Sequence, residues 1–592
     1  MKILTSSLLG LALSLFINTL TAAESTEEES SAVDEVVVTG IKKSLQDSID
    51  IKRSYVGVMD AITAEDFGKF PDGNLAESLA RVAGVGIDRS NVEGERVAVR
   101  GFGPEFNLVT LNGRQMPTVP GQWEGGRSFN FGDIASPGIQ AVEIFKATNS
   151  SLPSGGIGST INMVTTKPLG VDGTKKSFSI NIVNDTTSKE GSFSSNKPIE
   201  TSFLFATNQD KWGFSFSGSY QDRNNREEGT REANWLTVEK MAAIEGYSRV
   251  SSSAAGITNN STRNDGFTFY QEPTAYQIKD NDRLRTNGQA TFQFAHSDNL
   301  TSTLDYTYSA VDFDSEGVMF GSWLGGWDTQ QGVINRRGVY TDVTVANRAY
   351  DHQLIWGTTK NLNQSLGLSM SLDTHKSSAS KTGSELPNEM GFTTDIKGTI
   401  THKNAGSSGI NTFSYDTVFE PSNYLASSVQ MWDAYKNNEL DQTQIKGSWA
   451  NMNEGIITSV DFGISTIENS YLDTRSGNAN GAINPLASQY DDSIFQTSNL
   501  GNFMNSFGAN FGTDYYYDID RAAALKAFVL ANGAISAGDV DTNERINEDL
   551  NSAFLQVNME TEYMGMPLNI VAGVRYEESE TESISLEEKP TT

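Results

Sequence analysis

Few residues in this chain could act as catalysts. Cysteine is absent, and histidine occurs only at His296, His352, His375 and His402. Without thiols there is no Cys nucleophile, disulfide, Cys₄ zinc site or iron–sulfur cluster. The histidines are scattered, and neither H-E-x-x-H nor G-x-S-x-G occurs. The expectation is no enzyme and no cofactor. Recognition chemistry is better represented. Pro117–Phe131 (PTVPGQWEGGRSFNF) carries Trp123, Glu124, Arg127 and Phe129, and Trp323 and Trp327 lie in the Gly-rich GSWLGGWD. Rings beside polar groups suit stacking on sugar faces or other organic ligands. For Trp323 and Trp327 the competing role is loop packing or an interfacial aromatic belt. Asp539, Asp541 and Asn543 copy the first half of a calcium loop. Glu544 stands where Gly is needed and Leu550 where the bidentate Glu belongs, so a solvated acidic loop is expected.

Composition narrows the partners. The 592 residues carry 44 Lys plus Arg against 74 Asp plus Glu, a net charge of −30. Nucleic acid is excluded as an electrostatic partner, since phosphate binding needs positive patches. At 37% hydrophobic the chain is no helical membrane protein. A membrane barrel stays open, because its strands show lipid only at every second residue. Residues 1–23 read as a signal peptide: Lys2, an apolar stretch from Ile3 to Ile17, then small residues ending in Ala22-Ala23. Residues 24–33 form an acidic linker expected to be disordered. Asp34-Glu35-Val36-Val37-Val38-Thr39-Gly40 is strand-prone beside that linker. It suits addition to another protein's sheet edge, and an ordinary edge strand is the plainer reading.

Two textures follow. Residues 41–170 read as a mixed α+β domain. Helix signals cover Lys42–Lys52 and the stretch after Asn74, with Asn74 as cap, Glu77 three residues on and Gly84 beyond the end. Strand signals cover Val56–Met59, Arg96–Arg100, Leu108–Leu111, Ile139–Phe145 and Ile161–Thr165, and Asn112-Gly113 is a hairpin turn. With long Gly-rich loops and few helical faces to bury, this domain is expected to need packing from outside. From residue 171 onward, segments alternate apolar and polar, as in Trp212–Gln221 and Leu568–Glu577. Short connections such as Asn208–Lys211 and Met564–Met566 alternate with long ones such as Asp222–Asp282 and Tyr471–Asp549. That segregation predicts a transmembrane antiparallel β-barrel with a wet lumen. Eleven strands are counted between Ser177 and Glu577. Bacterial single-chain barrels close with an even number, and lipid does not tolerate open edges. The chain is therefore expected to hold the N-terminal half of a larger barrel.

The motifs then match a family. Asp34–Gly40, Arg81-Val82-Ala83-Gly84-Val85, Val99-Arg100-Gly101-Phe102, Leu111-Asn112-Gly113-Arg114 and Ser154–Asn162 (SGGIGSTIN) run in the order seen in TonB-dependent outer-membrane receptors, which the chain resembles. Ala572–Tyr576 looks like a mid-barrel strand of that family, and Ser159 stands where Gly is usual. The resemblance implies an α+β plug domain (41–170) inside a barrel of about 22 strands, of which 171–592 supplies part. It implies localisation in the outer membrane of a Gram-negative bacterium, lipid around the barrel, and Asp34–Gly40 as the box captured by TonB with its inner-membrane energising complex. Arg100 and Arg114, each at a strand end beside Gly, are expected to anchor plug to barrel by pairing with wall carboxylates, over solvated charge. Trp123, Glu124, Arg127, Phe129, Trp323 and Trp327 become ligand-contact candidates. The segment Ile41–Arg53 looks like receptors of aquatic proteobacteria, several of which import oligosaccharides or similar nutrients. Active uptake of such a small organic ligand is the favoured expectation, with a siderophore or other metal chelate as the alternative and a passive porin or adhesin as the reading from another class.

Overall fold

The structure, a computed structural model, describes residues 44–585 apart from 65–73, 90–92, 120–125, 191–197, 233–234, 238–268, 272–273, 323–336, 364–367, 383–388, 395–397, 402–411, 416–417, 419, 454, 482–490, 502, 505–513, 521, 525, 527–529 and 531–539. The signal peptide, the acidic linker and Asp34–Gly40 thus lie outside the described residues, as do Trp123, Glu124, Trp323 and Trp327.

An N-terminal inner domain opens with a helical segment over 44–54. Then come β1 (Met59–Thr63), α1 (Leu75–Leu79), β2 (Val85–Asp88), β3 (Arg96–Val99), β4 (Asn107–Leu111), β5 (Arg114–Gln115), β6 (Ile139–Phe145) and β7 (Ser159–Thr165). The Asn74 side chain caps α1 by accepting from the Ala76 N–H at 2.8 Å. A five-stranded sheet runs β1-β6-β7-β4-β5, with β4 and β7 parallel. The hairpin between β4 and β5 turns on Asn112 and Gly113, both at positive φ (52° and 78°), the geometry Asn-Gly supplies at least cost. The first strand begins at Met59 rather than Val56. Its start is set by pairing with β6, from Met59 opposite Phe145 to Thr63 opposite Ala141. The core joins Leu75, Leu79, Val99, Leu111, Met116, Phe131, Ile144, Ile161 and Met163, and Ala379 from the second region packs against it. Each fully buried Leu, Ile or Phe contributes about 1.5–3 kcal/mol.

The second region is one curved antiparallel wall. Its strands are β8 (Thr174–Ile182), β9 (Ile199–Gln209), β10 (Trp212–Glu232), β13 (Thr274–Ser297), β14 (Leu300–Ser322), β15 (Arg337–Asn363), β16 (Leu368–Thr382), β20 (Tyr424–Ala450), β21 (Ile457–Gly481), β24 (Val540–Tyr563) and β25 (Met566–Ser585). They pair in chain order, and β17 (Glu389–Thr394) adds to β15 and β20. The long connections carry small hairpins: β11 (Trp235–Thr237) with β12 (Phe269–Gln271), β18 (Gly398–Thr401) with β19 (Thr412–Tyr415), and β22 (Phe495–Asn499) with β23 (Tyr515–Ile519). Among the described residues β8 and β25 each have one partner, so the sheet is open there.

The wall strands run well past the expected bounds. Glu232 of β10 still pairs with Thr274 of β13, inside the stretch read as the loop Asp222–Asp282. A bilayer needs only about 9–11 residues per strand. Beyond it both faces are wet, so the apolar alternation stops while the main-chain ladder continues. For the same reason Asn543 is no loop ligand: it stands in β24 opposite Thr474 of β21. No helix among the described residues is long and apolar enough to cross a membrane. On the wall strands, Phe292, Phe294, Leu304 and Tyr306 are exposed on one face, while Ser215, Ser217, Ser219, Gln221 and Thr291 are buried on the other. The buried polar face is the one that meets the inner domain.

Candidate functional site at the boundary between inner domain and wall

The boundary is polar because each wall strand turns every second residue inward, and those residues are Ser, Thr, Asn, Gln and charges. Arg114, brought to the wall by the Asn112-Gly113 turn, pairs with Asp373 of β16 at 3.1 Å. Its neighbours continue the contact. The Gln115 N–H donates to Gln442 Oε1 (3.2 Å), and the Thr118 N–H to Asn438 Oδ1 (3.0 Å), both on β20. Arg100 behaves differently. It sits at φ 54° in the turn after β3 and donates to the Gly158 carbonyl at 3.3 Å, inside its own domain. That turn folds its side chain onto the loop before β7 instead of the wall. Arg127 is 60% exposed and pairs with Glu548 of β24 at 2.9 Å. Phe129 corrects an expectation: its ring is 2% exposed in the core, edge-on to Phe131. An aromatic between Ser128 and Asn130 looked like a contact residue, but the segment turns inward there and buries it.

Most of the anchoring charge went unnoticed in the sequence. Glu93 of the inner domain lies between Arg223 of β10 (2.8 Å) and Arg283 of β13. Burial pushes the Glu93 carboxyl up, but Arg283, Arg223 and Arg285 together outweigh it, so it lies below the usual carboxylate range. Arg285, fully buried, donates to the Gly132 carbonyl and to Gln221 Oε1. Asn287 and Ser309 both donate to the Asp133 carbonyl. Lower on the wall, Lys167 pairs with Asp305 of β14 at 2.8 Å, and the Leu169 N–H donates to Gln293 Oε1 at 3.0 Å. Arg285 was readable as an inward residue of an alternating strand. Arg223 was not, because the apolar alternation of β10 stops at Tyr220 and the rest read as loop.

A second set of contacts ties the N-terminal segment to the sheet. Ser44 Oγ donates to the Thr63 carbonyl and Thr63 Oγ1 to the Ser44 carbonyl, each at 2.8 Å. Asp60 holds Lys52 of the helical segment and Lys146 after β6, both at 2.6 Å. Burial raises the Asp60 carboxyl, and the hydrogen bonds and charges of Lys146 and Lys52 more than reverse this, so it too lies below its ordinary value. Among the described residues no group of His, Asp and Glu could hold a metal ion.

Residues 52–160 match the family described as TonB-dependent Receptor Plug Domain. No curated protein matches the chain. Solved structures with a similar fold include the ferric citrate transporter FecA in unliganded form, at 10% identity and TM-score 0.28 over 90% of this chain and 75% of that one. The ferric yersiniabactin uptake receptor FyuA from Yersinia pestis gives 9% and 0.30 over 88% and 72%. The outer membrane transporter YddB from Escherichia coli gives 8% and 0.29 over 89% and 91%. No ligand follows from likeness at this level.

Proposed function

We propose that this chain, which carries a TonB-dependent receptor plug domain seated on the polar face of an antiparallel wall, is an outer-membrane receptor that imports a small organic ligand using force applied to Asp34–Gly40 by TonB. The observation that carries this reading is the way the plug is held. It has its own apolar core, yet it meets the wall through hydrogen bonds and ion pairs. The neutral hydrogen bonds among these can be exchanged with water, so part of the boundary can open without unfolding the core. The staples from Ser44 to Thr63 and from Lys52 to Asp60 join the N-terminal segment to β1, the edge strand of the plug sheet. A pull on the tether would reach that edge first. Asp34–Gly40 suits β-augmentation, in which main-chain hydrogen bonds carry affinity.

For the ligand we place a metal chelate ahead of an oligosaccharide. The oligosaccharide reading came from the likeness of Ile41–Arg53 to receptors of aquatic proteobacteria, with Trp123, Trp323 and Trp327, which lie outside the described residues, as stacking candidates. Arg127 is exposed at the boundary between plug and wall, and a guanidinium suits an anionic chelate. The test uses the complete gene in cells offered radiolabelled ferric chelates and labelled oligosaccharides in parallel. Val37→Pro removes a backbone donor and fixes φ, so binding should persist while energised uptake falls to background. Uptake unchanged by Val37→Pro, or persisting after collapse of the proton gradient, rejects the proposal.

A further inference from the structure

The plug is not held equally around the wall. Along β10, β13, β14 and β16, ion pairs fasten it among neutral hydrogen bonds, and separation would strand the paired charges. Glu93 would leave Arg223 and Arg283, Arg114 would leave Asp373, and Lys167 would leave Asp305. Arg114 is 8% exposed and Asp305 3%. Parting a buried pair leaves an uncompensated charge, which is strongly unfavourable. The Arg285–Gly132 and Ser309–Asp133 bonds lie in the same sector.

Along β24 and β25 the contacts are of another kind. Ser150 Oγ donates to Gln556 Oε1 at 3.2 Å, and the Ser154 N–H reaches Glu577 Oε1 at 3.3 Å. Ser150 rests over Gly573, in a notch that a Cβ would fill. The wall charges here already satisfy each other: Arg575 pairs with Glu577 and donates to Ser552 Oγ. Among the described residues Arg127–Glu548 is the one ion pair that crosses here, and Arg127 is mostly in water. Withdrawal from this sector parts this one pair, whose Arg127 stays in water and whose Glu548 keeps a hydrogen bond from Asn469 of the wall.

We infer that during transport the plug stays seated on β10, β13, β14, β16 and β20 and parts from β24 and β25, so that the ligand's route runs along those two strands. The inference rests on the transport reading above. Because the chain has no cysteine, single thiols report cleanly. Gln556→Cys probes the releasing sector; Ser217→Cys and Gln442→Cys probe the seated one, all three positions being under 10% exposed. Cells carrying the complete gene are treated with fluorescein maleimide, with and without an uncoupler. Energisation is expected to raise labelling at position 556 at least fivefold and to leave 217 and 442 unchanged. A rise at 217 or 442, or none at 556, overturns the inference. Uncoupler-sensitive chelate uptake by the same three variants is measured alongside. It survives if only the route is wrong and is missing if the transport reading itself fails. As a second variant, Arg575→Gln should lower the energised labelling at 556, since Glu577 then keeps only its bond from Ser154 of the plug and withdrawal would strand its charge. Unaltered labelling counts against the pairing argument.

Discussion

The plug and the wall solve opposite problems. In the plug, apolar residues face inward, and Leu75, Leu79, Val99, Ile144, Ile161 and Met163 are essentially dry. In the wall, large apolar residues such as Phe292, Leu304, Ile464, Leu555 and Val574 are exposed, while Thr291, Asp305, Gln442 and Gln444 are buried. One chain thus has two inside-out patterns, each suited to its solvent. The plug excludes water from a core, whereas the wall offers its oily face to lipid and its polar face to the plug. Where the regions meet, only the polar side of the wall is available, so cohesion depends on charge and hydrogen bonding.

That contrast can be broken by substitution. For plug seating the largest effect is expected at the boundary. Arg114→Ala takes from Asp373 its ion-pair partner, leaving it the hydrogen bond from Gln444, and should weaken plug seating by about 3 kcal/mol, measured as loss of protease protection of the plug in urea. Next comes exchange of the two patterns. Ile144→Ala, in the plug core, should cost about 2–5 kcal/mol, and Phe292→Arg, on the lipid face, about 2–4 kcal/mol. Both are read by denaturant titration in detergent or lipid. If Phe292→Arg is silent, that face does not meet lipid.

Acid supplies a third test. The Glu93 carboxyl is depressed below its ordinary 4.5 in the folded protein. Its contribution is therefore present above that value and lost as pH falls through the lower folded one. Plug seating should be flat from pH 7 to 5 and loosen below about 4.5, and Glu93→Gln should flatten part of that loss. The smallest change is expected for Arg127→Ala. Its pair with Glu548 is exposed at the arginine end, so the loss should be about 0–1 kcal/mol, seen only at low salt.

Much of the architecture was legible because it rests on local rules. The Asn74 cap, the Asn112-Gly113 hairpin and the strand Ile139–Phe145 stand where residue chemistry puts them. The wall strands showed wherever one face meets lipid. Their upper halves, such as Arg223–Glu232, did not, since a ladder wet on both sides leaves no periodic trace. The candidate site was less legible. Arg114 stood out at a turn, but nothing near Glu93 announces that it would lie between two arginines about 130 and 190 positions away. Phe129 shows the converse, an aromatic in a polar loop that only packing could assign to the core.

The residues alone determined the period of each element, the turns, the sign of the net charge and the presence of an apolar face on every wall strand, since these follow from φ preferences and side-chain chemistry within a few positions. The tertiary structure decided which charges meet across the boundary, where β1 begins and which sector holds the plug tightly. Those outcomes depend on curvature and register, which bring together groups hundreds of residues apart, and no local preference encodes them.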